Sequence, residues 1–249
     1  MTSDTSERRA FWWFIAISVL SLVGWHIPFV DMLLYPIRIF VTTIHELGHA
    51  LTTLLSGGEV VAMTVVPDGR EAAGVTIFRG GAAMLIYQMG YLGATLAGCL
   101  MMILAAQERR ARGVLIAIGV LIAATGALFC FGAVQIGRVS EGTLSIAATL
   151  GLAAVLITCG VKLGARAAQV MLIFLAVQTA LNGLSNVVGL MLMTVGANPP
   201  KMSDAAALER ITGVPALVWV GFWALVSVVV LALTFKLTFG RQLKAPSGS

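Results

Sequence analysis

Residues His45-Glu46-Leu47-Gly48-His49 place two imidazoles and a carboxylate within five positions of an apolar run long enough to cross a bilayer. On a helix, side chains four apart lie on one face, so His45 and His49 can turn toward a single metal ion. Glu46 lies about 100° around the same helix, within reach of a water in the metal's open position. The chemistry this spacing suggests is metal-assisted hydrolysis, with Glu46 as general base. The chain has three histidines, and two of them are here. The pattern is short enough to arise by chance on a solvated surface helix. Here, however, Ile44, Leu47, Ala50, Leu51 and Leu54 frame the polar trio. Ionisable groups set within a membrane span are costly unless they are paired or bound to something.

The elements that must position these groups are hydrophobic. Of 249 residues, 59% are hydrophobic and 11% charged, and the mean hydropathy is +0.96. A soluble domain carries about a quarter charged residues, so the composition is that of an integral membrane protein. The 27 glycines suit closely packed transmembrane helices. The net charge of +5 is spread over loops and termini. No basic stripe with interleaved aromatics is present, which excludes a nucleic-acid partner and leaves the lipid bilayer. Cys99, Cys130 and Cys159 are far apart in apolar stretches and read as buried free thiols.

Apolar stretches predict spans near 11–30, 33–56, 82–106, 113–135, 143–161, 168–194 and 214–237. The polar break Gln135 to Gly142 is weak, so six and seven crossings both fit. The first stretch follows Arg8 and Arg9 but is long for a signal core, and a retained span is expected. The fold class is therefore an all-α polytopic membrane protein of six or seven transmembrane helices. A small β-hairpin is expected next to the metal-site helix. One domain, 1–249, is expected, multi-pass in the cell membrane, with a short tail at 244–249.

The hairpin is expected within 57–81. Gly57-Gly58 and Gly80-Gly81 bracket two β-prone runs, Glu59 to Val66 and Gly74 to Phe78. Pro67-Asp68-Gly69-Arg70 supplies turn chemistry between them. An ordinary surface loop is the alternative. The other polar excursion is 195–213. There Asn198-Pro199-Pro200 breaks the chain, and Ser203 offers an N-cap to a short helix from Asp204 to Ile211, ending at Gly213.

The transmembrane His45-Glu46-Leu47-Gly48-His49-Ala50, followed by a hairpin bracketed by Gly-Gly pairs, resembles the site-2 protease family of intramembrane zinc metalloproteases. More narrowly, it is similar to the family's compact M50B-like members. The matching stretches are Phe40 to Gly93, the Leu181-Asn182 region, and Ser203-Asp204-Ala205 through Trp223, about half the chain. The resemblance implies cleavage of a peptide bond in a transmembrane protein or peptide substrate. His45 and His49 would bind Zn2+ and Glu46 would activate the water. It also implies that the strand element beside the site takes substrate in extended form. Glu59, Val60 and Val61, or Val75, Thr76 and Ile77, would supply that edge.

A catalytic zinc usually has three protein ligands. In this family the third is an aspartate in a Leu-Asp-Gly motif, which this chain lacks. Asp204 is the leading candidate, although its place after Ser203 serves helix capping equally well. Asn186 and Asn182, four apart on a late span, come next, with amide oxygens that ligate zinc weakly. Glu71 and His26 are weaker candidates, read as a solvated turn residue and a headgroup-level or packing residue. The missing motif also motivates an alternative function, a non-catalytic membrane-protein binder or scaffold of the same fold. A small transporter is a third reading, disfavoured by the lack of repeat symmetry.

Overall fold

The structure, a computed structural model, describes residues 20, 27–66, 74–195 and 203–239. It is mostly helical, with one two-stranded antiparallel sheet. Helix α1 (Pro28–Leu55) leads into β1 (Glu59–Thr64) and β2 (Val75–Arg79). The helices α2 (Ala83–Gln88), α3 (Tyr91–Ala105) and α4 (Glu108–Thr125) follow. A π-helical turn, Gly126–Cys130, joins α4 to α5 (Phe131–Gln135). The chain closes with α6 (Val139–Lys162), α7 (Ala165–Val195), α8 (Asp204–Thr212) and α9 (Ala216–Phe239).

Three of these stretches are long and apolar enough to cross a membrane: Glu108–Gln135, Val139–Lys162 and Ala216–Thr238. Tyr91–Ala105 and Ala165–Leu181 are shorter apolar helices. Large apolar side chains point outward along them, including Val120, Leu128, Val155, Leu225 and Leu233. Such a surface is stable against hydrocarbon and costly against water. Helix α1 is as long, but it carries Arg38, His45, Glu46 and His49.

Several boundaries differ from the sequence expectation. The span expected at 33–56 begins at Pro28, whose ring suits the first helical turn. The span expected at 82–106 is two helices, broken at Met89-Gly90. The break expected between Gln135 and Gly142 is narrower, between α5 and α6. The two strands end at Thr64 and Arg79, not at Val66 and Phe78. The first expected span up to residue 26 with His26, the turn Pro67 to Arg70, Glu71, the Asn198-Pro199-Pro200 break and the tail 244–249 lie outside the described residues.

The core runs along the packed helices α1, α3, α4, α6 and α7, with Phe40, Leu47, Leu115, Ile122, Leu156 and Leu172 at its centre. Gly98 lets α3 approach α7 closely: a Cβ there would lie 2.7 Å from the Ala176 carbonyl oxygen. Several helix hydroxyls donate to their own backbone, as in Thr43 Oγ1 donating to the Ile39 carbonyl at 2.7 Å. Cys99 and Cys130 are buried free thiols, and Cys159 is partly buried.

The hairpin is anchored at both ends. Helix α1 stops in a Schellman motif: Gly58 N–H donates to the Thr53 carbonyl at 2.8 Å and Gly57 N–H to Leu54 at 3.1 Å. Gly57 there has φ +81°, a conformation glycine adopts without a Cβ penalty. The hydroxyl of Ser56 then accepts from Ala82 N–H at 3.0 Å, tying the exit of the hairpin to the end of α1. The strands pair Met63 with Thr76 and Val60 with Phe78, with a bulge at Val61. Just past β1, Val65 N–H donates to Ser145 Oγ on α6 at 2.9 Å.

Candidate metal centre

His45, Glu46 and His49 lie in the interior stretch of α1, with Glu46 and His49 buried. Gly48 brings this turn against the α2–α3 break, where a Cβ would overlap the Met89 carbonyl. Met89-Gly90 is thereby pressed onto the imidazoles. A Cβ at Gly90 would lie 2.5 Å from His45 Nε2 and 2.5 Å from His49 Nε2. Only the bare backbone of glycine leaves that space open.

Asp204 arrives from the other end of the chain. Helix α8 is amphipathic, and its buried Ala205 and Leu208 pack with Val187, Val220 and Trp223. Ser203 caps it, its side chain accepting from Ala206 N–H at 3.2 Å. Capping thus falls to Ser203, and the carboxylate at the next position is free to face α1. Gly213, with φ +73°, closes the helix. Glu209 Oε2 then accepts from Ala216 N–H at 3.3 Å at the start of α9.

The three side chains converge. His45 Nε2 and His49 Nε2 are 3.2 Å apart. Asp204 Oδ2 is 3.4 Å from the first and 3.3 Å from the second. Four ligands held about 2.0–2.1 Å from a tetrahedral zinc lie about 3.3–3.4 Å from one another. The triangle therefore has the edge lengths of three corners of a zinc tetrahedron.

The tautomer of His49 is also set. Its Nδ1 lies 2.7 Å from the Ile86 carbonyl oxygen, which can only accept, so Nδ1 carries the proton and Nε2 faces the triangle. Nitrogen lone pairs and a carboxylate oxygen turned toward one another repel unless positive charge, a proton or a metal, sits among them. Burial pushes the Asp204 carboxyl up. Where a proton supplies the positive charge, a charged His49 and hydrogen bonds with both imidazoles outweigh burial and hold Asp204 well below the usual carboxylate range. The donor set fits a divalent zinc by atom type, spacing and charge.

Glu46 faces the hairpin side of α1, where Thr76 Oγ1 donates to its Oε2 at 2.6 Å. Thr76, expected along a substrate edge, thus spends its hydroxyl on the acid. The other expected edge residues lie in the same two strands, with Glu59 exposed and Val60, Val61, Val75 and Ile77 half-buried. One side of β1 is occupied: Gly132 of α5 sits so close that a Cβ there would overlap the Val61 carbonyl. Asn182 and Asn186 fall within α7, and their side chains lie outside the described residues.

Sequence reasoning missed the Ile86 carbonyl, Gly90, and an aromatic wall. Tyr91 sets its ring edge-on to His45 at 4.7 Å between centroids, and Trp223 stacks on Tyr91 at 5.1 Å. Met89-Gly90, a glycine within an apolar stretch, was the visible signal for that turn. The backbone carbonyl gives no signal of its own.

No curated protein and no solved structure matches the chain. Residues 13–234 match the Peptidase M50B-like family, whose M50 peptidases are zinc-dependent and membrane-embedded, and the chain belongs to that family.

Proposed function

We propose that the protein is an intramembrane zinc endopeptidase that hydrolyses peptide bonds of membrane-embedded or membrane-adjacent proteins. The observation that carries this reading is the triangle of His45 Nε2, His49 Nε2 and Asp204 Oδ2, with edges of 3.2, 3.3 and 3.4 Å. These three residues would hold the zinc. When bound, zinc supplies Lewis acidity at the scissile carbonyl and lowers the pKa of water toward neutrality. Glu46 takes the proton from that water and delivers it to the leaving amine nitrogen. Ile86 keeps His49 in the tautomer that ligation needs.

Substrate enters as an extended strand. A helical peptide shields its own amides, whereas a strand laid along a sheet edge exchanges those bonds for new ones and exposes the scissile carbonyl. With β1 flanked by Gly132, the edge that serves is β2, through Val75, Thr76 and Ile77.

The test is Glu46→Gln in purified, zinc-loaded protein, assayed on a quenched-fluorescent transmembrane peptide with a central Asn-Gly pair and flanking lysines. Cleavage should fall by about a hundredfold to ten-thousandfold, with zinc per chain unchanged. A variant that cuts at the wild-type rate would falsify the mechanism.

A further inference from the structure

Glu46 is 4% exposed, and a buried carboxylate is stable only where donors meet it. Its two oxygens are treated differently. Oε2 accepts the Thr76 hydroxyl at 2.6 Å, the short distance of a charge-assisted bond. Oε1 has the Gly74 backbone beside it, where a Cβ would stand 2.9 Å from that oxygen and 2.7 Å from Thr42 Cγ2. Thr76 reaches the carboxylate because of its register in β2, opposite the fully buried Met63 and on the α1 side of the sheet.

We propose that Thr76 is the positioning residue for the general base. This inference rests on the protease reading and assigns work within that site. The Thr76 hydroxyl pins Oε2 and so fixes the orientation in which the carboxylate receives the proton. The water O–H bond breaks toward the Glu46 carboxylate as the oxygen–carbon bond forms. The same proton then passes to the amine nitrogen as the C–N bond breaks. A carboxylate already held in one orientation needs no reordering at the moment of reaction. Because Thr76 belongs to β2, the strand offered to substrate and the base that serves it are one mechanical unit.

The test compares Thr76→Val, Thr76→Ser and Glu46→Gln with wild type, all zinc-loaded, on the peptide described above. Zinc per chain and thermal unfolding are recorded for each. Thr76→Val should lower kcat about tenfold to a hundredfold, within the total that a general base supplies. KM and zinc content should stay near wild type. Thr76→Ser keeps the donor and should restore kcat to within about threefold. Should the valine variant not fold, Thr76→Ala is read in its place. A wild-type kcat in Thr76→Val while Glu46→Gln is inactive overturns the positioning role and leaves the protease reading standing. A serine variant as slow as the valine variant also overturns it, since the methyl group and not the hydroxyl would then matter. Cleavage by Glu46→Gln at the wild-type rate removes the protease reading and the role together.

Discussion

The corner formed by α1, the α2–α3 break and α8 differs from the α4–α6 pair in what its polar groups face. Where α4 meets the end of α6, the polar side chain serves backbone. Arg112 donates through Nε to the Gly160 carbonyl at 3.0 Å and through Nη2 to Val161 at 2.6 Å, closing the last turn of α6. In the corner two imidazoles and the Asp204 carboxylate face one another, and Glu46, on the hairpin side of α1, meets Thr76. Both regions use glycine for close approach, but to different ends. Gly160 lets helix meet helix, with a Cβ there 2.6 Å from Ile116 Cγ1, whereas Gly90 lets backbone meet imidazole. One arrangement is complete by itself, and the other calls for a cation.

Three substitutions break or sharpen that contrast. The largest effect belongs to Asp204→Ala, which removes one donor of three. Zinc affinity should fall by at least about a hundredfold, more than a supporting residue costs, and cleavage with it. Metal titration followed by activity at saturating zinc checks both. Stoichiometric, tight zinc in this variant would move the third ligand elsewhere. Gly90→Ala comes next. Its methyl displaces the imidazoles, so zinc should bind about tenfold to a hundredfold more weakly in a chain that still folds. Unchanged zinc binding would mean that the α2–α3 break yields without consequence for the site. The smallest effect is Arg112→Ala, at an exposed end of the helix pair. It should cost about 1 kcal/mol of stability or less, read as a slightly lower unfolding temperature. Zinc content and kcat should match wild type, and a change in either would couple the two regions.

How much of this was legible follows from distance along the chain. The convergence of His45 and His49 could be read because they are four apart, a spacing that one helical turn converts directly into a shared face. The hairpin could be read from its glycine brackets and β-branched runs. The direction of Thr76 could not, since the bulge at Val61 shifts the pairing register and no pattern of residue types announces it. Which residue caps α8 stayed open because Ser203 and Asp204 are both good caps, and only the observed bond from Ala206 N–H to Ser203 separates them. Crossings were harder. Hydropathy joined α2 and α3 into one stretch, because a single glycine break hardly changes a windowed average. Among the described residues three helices are long and apolar enough to span alone.

Asp204 stands far downstream of His49, on a helix that packs against α9. Translated in order, α1 and the hairpin precede α8 and carry two of the three side chains of the candidate group. The third side chain follows only with α8, which packs with Val187 of α7 and with Val220 and Trp223 of α9. On the proposed reading, a newly made chain would therefore lack hydrolytic capacity until α8 is in place, and the order of translation would do the work of a removable propeptide.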